Sequence, residues 1–352
     1  MKIFKFSPTT QRQIQRFKSI KRGYFSFLLL TIILVLTIFA ELWINNKALL
    51  VKYNGEYYFP TYGAVIPAKT FGQNVGTGDE ETNYRKLQAA FKEEGKDNYV
   101  IMPFVPFGSR EFHKVEGKEW PLAPGDGHLL GTDEQGRDIV AQLFYGFRIA
   151  FFYALIVLLL TFALGIILGC LMGFWGGKFD LFFQRLIEVW ANMPYLYGIM
   201  IVASLIGTSF LSLVFVSVFF SWTRMTWYMR TATYKEKNRD YVMAARALGA
   251  SDWRIITKHI IPNSITLVIT FAPFILADGI SNLTALDFLG FGISAEYPSW
   301  GNLLKQGQDY LQDAYWIGGS ILVAMTLILV LVTFIGEAIR EAYDPKKHTF
   351  YE

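Results

Sequence analysis

Cysteine is almost absent: the 352 residues contain one, Cys170, set inside a long apolar run, so no disulfide can form within the chain. Histidine is scarce too, with four in all and no His/Cys cluster at metal-ligand spacing, so no metal site is expected. Charged residues make up 18%, and no block of Lys and Arg alternates with aromatics as a nucleic-acid surface would require. The phosphate-cradling pattern G-x-x-x-x-G-K-[ST] does not occur, which excludes a nucleotide site of that kind. What the chain has in excess is apolar surface, 53% hydrophobic and 17% aromatic, with several runs long enough to cross a bilayer. It reads as an integral membrane protein.

The spans follow from the pattern. Residues 1–22 hold seven of the 33 Lys+Arg and no acid, and the apolar run 24–44 comes next with no small-x-small cleavage site behind it. This is an uncleaved first span (23–44) with its basic tail (1–22) in the cytoplasm. Residues 45–147 form a long extracytoplasmic insertion whose aromatics, glycines and prolines suggest short strands and turns rather than a helix. Further spans are expected at about 148–174, 181–206, 210–228, 263–283 and 317–335. Pro194 should kink the third, and Arg185 and Glu188 lie three apart at its start. Loop 230–261 carries seven Lys+Arg against three acids and is therefore cytoplasmic, in agreement with the count from the first span. The expected fold is all-α and polytopic: six transmembrane helices, both termini cytoplasmic, a mixed insertion between helices 1 and 2, a core over 148–346 and a tail at 347–352.

Within that core, Gly165, Gly169 and Gly173 repeat every fourth residue on one helix face, the spacing that lets a second helix backbone approach closely. The stretch LGTDEQGRD supplies Gly131, Asp133, Gly136, Arg137 and Asp138. It reads as a loop braced by carboxylate–arginine pairs in preference to a cation site. The ionisable Asp278 falls inside the fifth span, where a charge is costly. Two readings stand for it: the wall of a water-filled path, or a hydrogen-bonded interface residue.

The polar interruption 239–263 organises the rest. Tyr241, Ala244, Ala245 and Leu248 recur at helical spacing, and Gly249 suits a left-handed stop. Ser251 or Asp252 can cap a second short helix ending near Lys258 and His259, before Pro262 opens the next span. Two amphipathic helices outside the bilayer are built to dock on something, or in part to rest on the chain's own spans.

The words MAARALG and IIP, with Ala244, Ala245, Gly249 and Pro262 in place, resemble the EAA loop of the permease subunits of binding-protein-dependent ABC importers. Met243 stands where that family usually has glutamate, as is frequent in its oligopeptide and dipeptide branch. LGTD-x-x-GRD, the turn WGGKFD, LDFLGFG followed by PSWG, and GEAIREAYDP (Gly336, Arg340, Asp344, Pro345) are similar to that branch in the same order. The long insertion beginning LLVKYNGEYYFP resembles the Yej-type peptide and microcin C permeases.

The resemblance implies a multi-pass permease of the inner membrane and no enzyme, with no cofactor in this chain and ATP and Mg held by partner ATPase subunits. It implies a second homologous permease, an extracytoplasmic binding protein and a peptide cargo, with nickel or another small solute as the alternative within the family. Hairpin 230–262 would sit in a groove on the ATPase, with Tyr241 and Leu248 as apolar anchors and Arg246 facing an acid. Two other classes remain: a membrane-anchored enzyme working through its outer 100 residues, which lack nucleophile–base spacing, and a scaffold or sensor.

Overall fold

The computed structural model describes residues 8–73, 80–95, 97–113, 117 and 119–343. The tail 347–352, with Asp344 and Pro345, lies outside the described residues. Among the described residues the helices in chain order are α1 (Pro8–Ser19), α2 (Lys21–Ile38), α3 (Tyr84–Glu94), α4 (Ile139–Trp175), α5 (Gly177–Ala191), α6 (Tyr195–Ile206), α7 (Phe210–Glu236), α8 (Asp240–Ala247), α9 (Asp252–Ile255), α10 (Ile261–Phe288), α11 (Trp300–Asp309) and α12 (Tyr315–Tyr343). The strands are β1 (Leu50–Tyr53), β2 (Glu56–Tyr58) and β3 (Tyr99–Ile101). Among the described residues, five helices are long and apolar enough to cross a membrane, or six if α5 and α6 count as one bent span.

The chain divides into two compact units: Met1–Thr31 with Ala150–Ile293 and Leu327–Glu352, and Ile32–Ile149 with Ser294–Thr326.

In the first unit the glycine spacing has a direct consequence. A Cβ on Gly165 would lie 2.6 Å from Met225 Cβ, on Gly169 2.6 Å from the Thr226 carbonyl, and on Gly173 2.7 Å from the Arg230 carbonyl. Three successive turns of α4 therefore lie directly on the backbone of α7. Asp180 at the start of α5 binds Arg230 of α7 through Nε at 2.5 Å and Nη2 at 2.7 Å, and accepts the Tyr234 hydroxyl at 2.8 Å. Pro194 does more than kink the third span: α5 and α6 are separate helices bent by 78°. A proline lacks the N–H that would continue the ladder, and its ring disfavours a helical residue before it. Between the start of α2 and the C-terminal part of α12, Arg22 faces Glu337 at 3.5 Å, and Gly23 lies against Ala338.

In the second unit, the three strands form an antiparallel sheet in the order β2-β1-β3, with Val51 paired to Tyr58 on one side and Val100 on the other. Asn54 and Gly55, at φ 49° and 87°, make the tight β1–β2 turn that Asn-Gly favours. The insertion departs from the expected strands and turns by including α3. Asn83 caps it by accepting the Lys86 N–H at 3.1 Å, Leu87 and Phe91 bury at helical spacing, and left-handed Gly95 ends it. Helix and sheet close over Ala48, Val51, Phe71, Tyr84 and Val100. The helix that contains the second apolar run starts before it, at Ile139. Asp138 Oδ1 accepts the Ala141 N–H at 2.9 Å and so caps α4 nine residues ahead of 148.

Candidate functional site: the helical hairpin, the span cavity and the outer motif

The hairpin turns where the glycine stands. Gly249 has φ +81°; its N–H bonds the Arg246 carbonyl and the Ala250 N–H bonds the Ala245 carbonyl, both at 3.0 Å. These two bonds satisfy the last carbonyls of α8. Ser251 then caps α9, accepting the Arg254 N–H at 3.4 Å.

The second half of the hairpin differs from a separate short helix. From Asp252 the chain runs to Phe288 as one continuous element, passing through a π turn at Ile256–Ile260. The Ile261 N–H reaches back to the Ile256 carbonyl, and this wider turn accommodates Pro262, which has no N–H to give. The second half of the hairpin and α10 are thereby one continuous rod.

The expected apolar stripe of α8 is split between two faces. Val242, Ile255, Ile256 and Ile260 are buried with Phe174, Met225 and Met229, and Ala245 and Ala250 pack against them. Tyr241, Ala244 and Leu248 lie on the exposed side, and Leu248 is 88% exposed. The Tyr241 hydroxyl bonds Glu236, and burial together with that carboxylate pushes it up to about 12. Arg246 lies over the Phe174 ring at 5.2 Å. Leu248 thus stands as an exposed apolar side chain directly before the Gly249 turn.

Asp278 is paired. Its Oδ2 accepts from Arg224 Nη1 of α7 at 2.9 Å, and both side chains line a cavity of about 340 Å³ with Tyr153, Tyr195, Ser217 and Asn282. The sequence reading missed Arg224. The signal was present: Ser217, Ser221 and Arg224 recur at i, i+4 and i+7, a polar stripe on one face of an apolar helix.

In the LGTDEQGRD motif, Asp133 and Arg137 meet directly. Arg137 donates to Asp133 through its backbone N–H at 2.9 Å and Nε at 2.7 Å, and its Nη1 reaches the Ala295 carbonyl at 3.0 Å. Gly131 and Gly136 both have φ near +78°, and a Cβ on Gly136 would strike the Trp120 ring at 2.3 Å. Asp138 has a second role besides capping. Its Oδ2 holds His128 Nδ1 at 2.8 Å, and His128 Nε2 meets His113 Nδ1 at 3.0 Å. Burial, then Arg85 and His128, lower the His113 pKa, against the opposing pull of Glu111 and Asp126.

Known proteins place this architecture. Residues 165–349, which include the hairpin and the cavity-lining parts of α6, α7 and α10, match the family described as "Binding-protein-dependent transport system inner membrane component". The chain is 36% identical to the inner membrane ABC transporter permease protein YejE of Escherichia coli K12 over 343 residues, covering 97% of this chain and 99% of that protein. It is 35% identical to the peptidoglycan transport system permease protein YejE of Agrobacterium fabrum, over 97% and 94% of the two chains. With the oligopeptide transport system permease protein OppC of Lactococcus lactis it shares 37% identity over 65% of this chain and 79% of that one. The chain belongs to the family of binding-protein-dependent transport system inner membrane components, as a permease subunit of an ABC transporter.

Proposed function

We propose that this chain forms half of the translocation path of a peptide importer in the inner membrane. The observation that carries the proposal is the full-length likeness to two YejE permeases, insertion included, together with the likeness of 65% of the chain to an oligopeptide permease. Peptide is favoured over nickel because relatives that name a cargo include oligopeptide, dipeptide and peptidoglycan transporters. Microcin C-like peptides fall within the same chemical class.

In this reading α5 and α6 together make one broken span, giving six, with the insertion 45–147 outside and hairpin 230–262 inside. The Arg22–Glu337 contact supports it by bringing the start of α2 and the C-terminal part of α12 together. The partners are a second homologous permease, ABC ATPase subunits that hold ATP and Mg, and an extracytoplasmic binding protein that selects the peptide. The exposed side of the hairpin, with Leu248 at its tip, docks on the ATPase. The one-piece rod from Asp252 to Phe288 carries ATPase closure into the membrane, where Asp278 borders the path.

The experiment is uptake of a labelled tripeptide by cells lacking the chain, with and without the gene restored. Restored uptake that depends on a co-purifying ATPase supports the reading. Equal uptake in both strains, with no ATPase co-purifying, removes it.

A further inference from the structure

Two ion pairs of the first unit, one joining α5 to α7 and one joining α7 to α10, are built differently. Arg230–Asp180 is bidentate, with side chains 16% and 8% exposed. Arg224–Asp278 is a single contact, with side chains 63% and 65% exposed. Arg224 lies about 20 Å along α7 from either end, and Asp278 about 15 Å from the end of α10. An exposed ion pair at that depth is not left against lipid; it meets water or a polar partner.

Its surroundings are polar in an ordered way. Asn282 Oδ1 can only accept, so the Tyr195 hydroxyl donates to it at 3.1 Å. The Ser217 hydroxyl must then donate to Tyr195 at 2.8 Å, and the Tyr153 hydroxyl to Ser217. This chain consumes the hydroxyl protons on one side of the cavity. Among the described residues, the second carboxylate oxygen of Asp278 and the remaining guanidinium N–H groups of Arg224 have no hydrogen-bond partner. The cavity of about 340 Å³ beside them falls in the size range of small-ligand sites.

Resting on the peptide-importer reading, we propose that Arg224 and Asp278 form an exchange subsite for zwitterionic peptides. The pair opens as cargo passes: Asp278 takes the peptide's α-ammonium, Arg224 takes a carboxylate of the same peptide, and the pair closes again on release. Each charge keeps a counter-ion throughout, so passage leaves no bare charge in the span. A one-contact pair yields its partner more readily than a bidentate one, which is what a site that must release its ligand requires. Asn282, one turn from Asp278, and Ser221, one turn from Arg224, are positioned to meet the peptide amides.

The test uses the complete transporter in proteoliposomes, with trialanine as the probe. Uptake and binding-protein-stimulated ATP hydrolysis are measured for wild type, Asp278→Asn, Arg224→Gln, and the swap of Arg224→Asp with Asp278→Arg. The expected result is a fall in uptake of about tenfold or more in all three variants, with stimulated ATP hydrolysis retained. A structural bridge tolerates reversal, so near-normal uptake by the swap overturns the subsite. For variants that do not assemble, a tripeptide with a photoreactive side chain is irradiated during wild-type turnover. Adducts within a turn of Arg224 and Asp278 are expected; adducts confined elsewhere overturn the proposal. Wild type without ATP-driven uptake would instead refute the importer reading itself.

Discussion

Asp180 and Arg230 join two helices through a pair of parallel hydrogen bonds in a nearly closed environment, and the Tyr234 hydroxyl caps the same carboxylate. Removing one partner leaves the other charge buried and alone. Asp180→Ala is expected to destabilise the purified chain by about 3–5 kcal/mol. Arg230→Ala should cost a similar amount, and the double variant less than the sum, since both remove one interaction. Thermal unfolding in mild detergent measures the cycle; strict additivity would show that the pair is not coupled.

The glycine ladder makes a graded prediction. At Gly169 and Gly173 an added Cβ meets backbone of α7, which cannot rotate away, so alanine at either should cost about 1–3 kcal/mol. Gly319 has no atom within 4 Å of an added Cβ, and alanine there should be neutral or stabilising. The same unfolding assay compares them.

Gly249 tests the hairpin's geometry separately from its chemistry. At φ +81° a β-branched residue is strained by roughly 1–2 kcal/mol, whereas Asn tolerates this region. Gly249→Val should therefore lower peptide-driven ATP hydrolysis by the reconstituted complex, and Gly249→Asn should keep most of it. Equal loss in both would mean that glycine is needed for contact rather than for the turn.

How much of this was legible beforehand depends on which interaction decides each feature. The glycine repeat, the Gly249 stop and the Asp133–Arg137 pairing are short-range, so spacing exposes them. Helix α3 was hidden in an insertion rich in turn residues, although Asn83, Leu87, Phe91 and Gly95 carry a complete cap-to-stop pattern. The fusion of the hairpin with α10 was not legible, because Pro262 reads as a boundary and only the π turn before it preserves the rod. Arg224 was passed over for a different reason. Its partner Asp278 lies 54 residues away on another helix, and only packing brings the two polar stripes together.

The second unit should respond to acid. The folded state holds His113 below its ordinary value of 6.5, so unfolding takes up a proton in the range between the lowered and the ordinary value. The stability that neutral His113 contributes is complete above that ordinary value and is lost as pH falls through the lowered one. Hydrogen exchange at the amides of 105–113 in the full chain, corrected for intrinsic rate, should rise on going from about pH 7.5 to about pH 5.5. His113→Gln should flatten the change. An unaltered slope in that variant would assign the acid response to other groups.

In the proposed function the hairpin passes ATPase movement to the spans through an exposed apolar tip. The most direct measurement is binding-protein-stimulated ATP hydrolysis and tripeptide uptake by the reconstituted transporter carrying Leu248→Asp. Leu248 is 88% exposed, so the change leaves the chain's own packing intact. The account predicts an assembled pair of permeases with the ATPase lost or unresponsive, and uptake reduced by about tenfold or more. Normal stimulation and uptake by Leu248→Asp would contradict it.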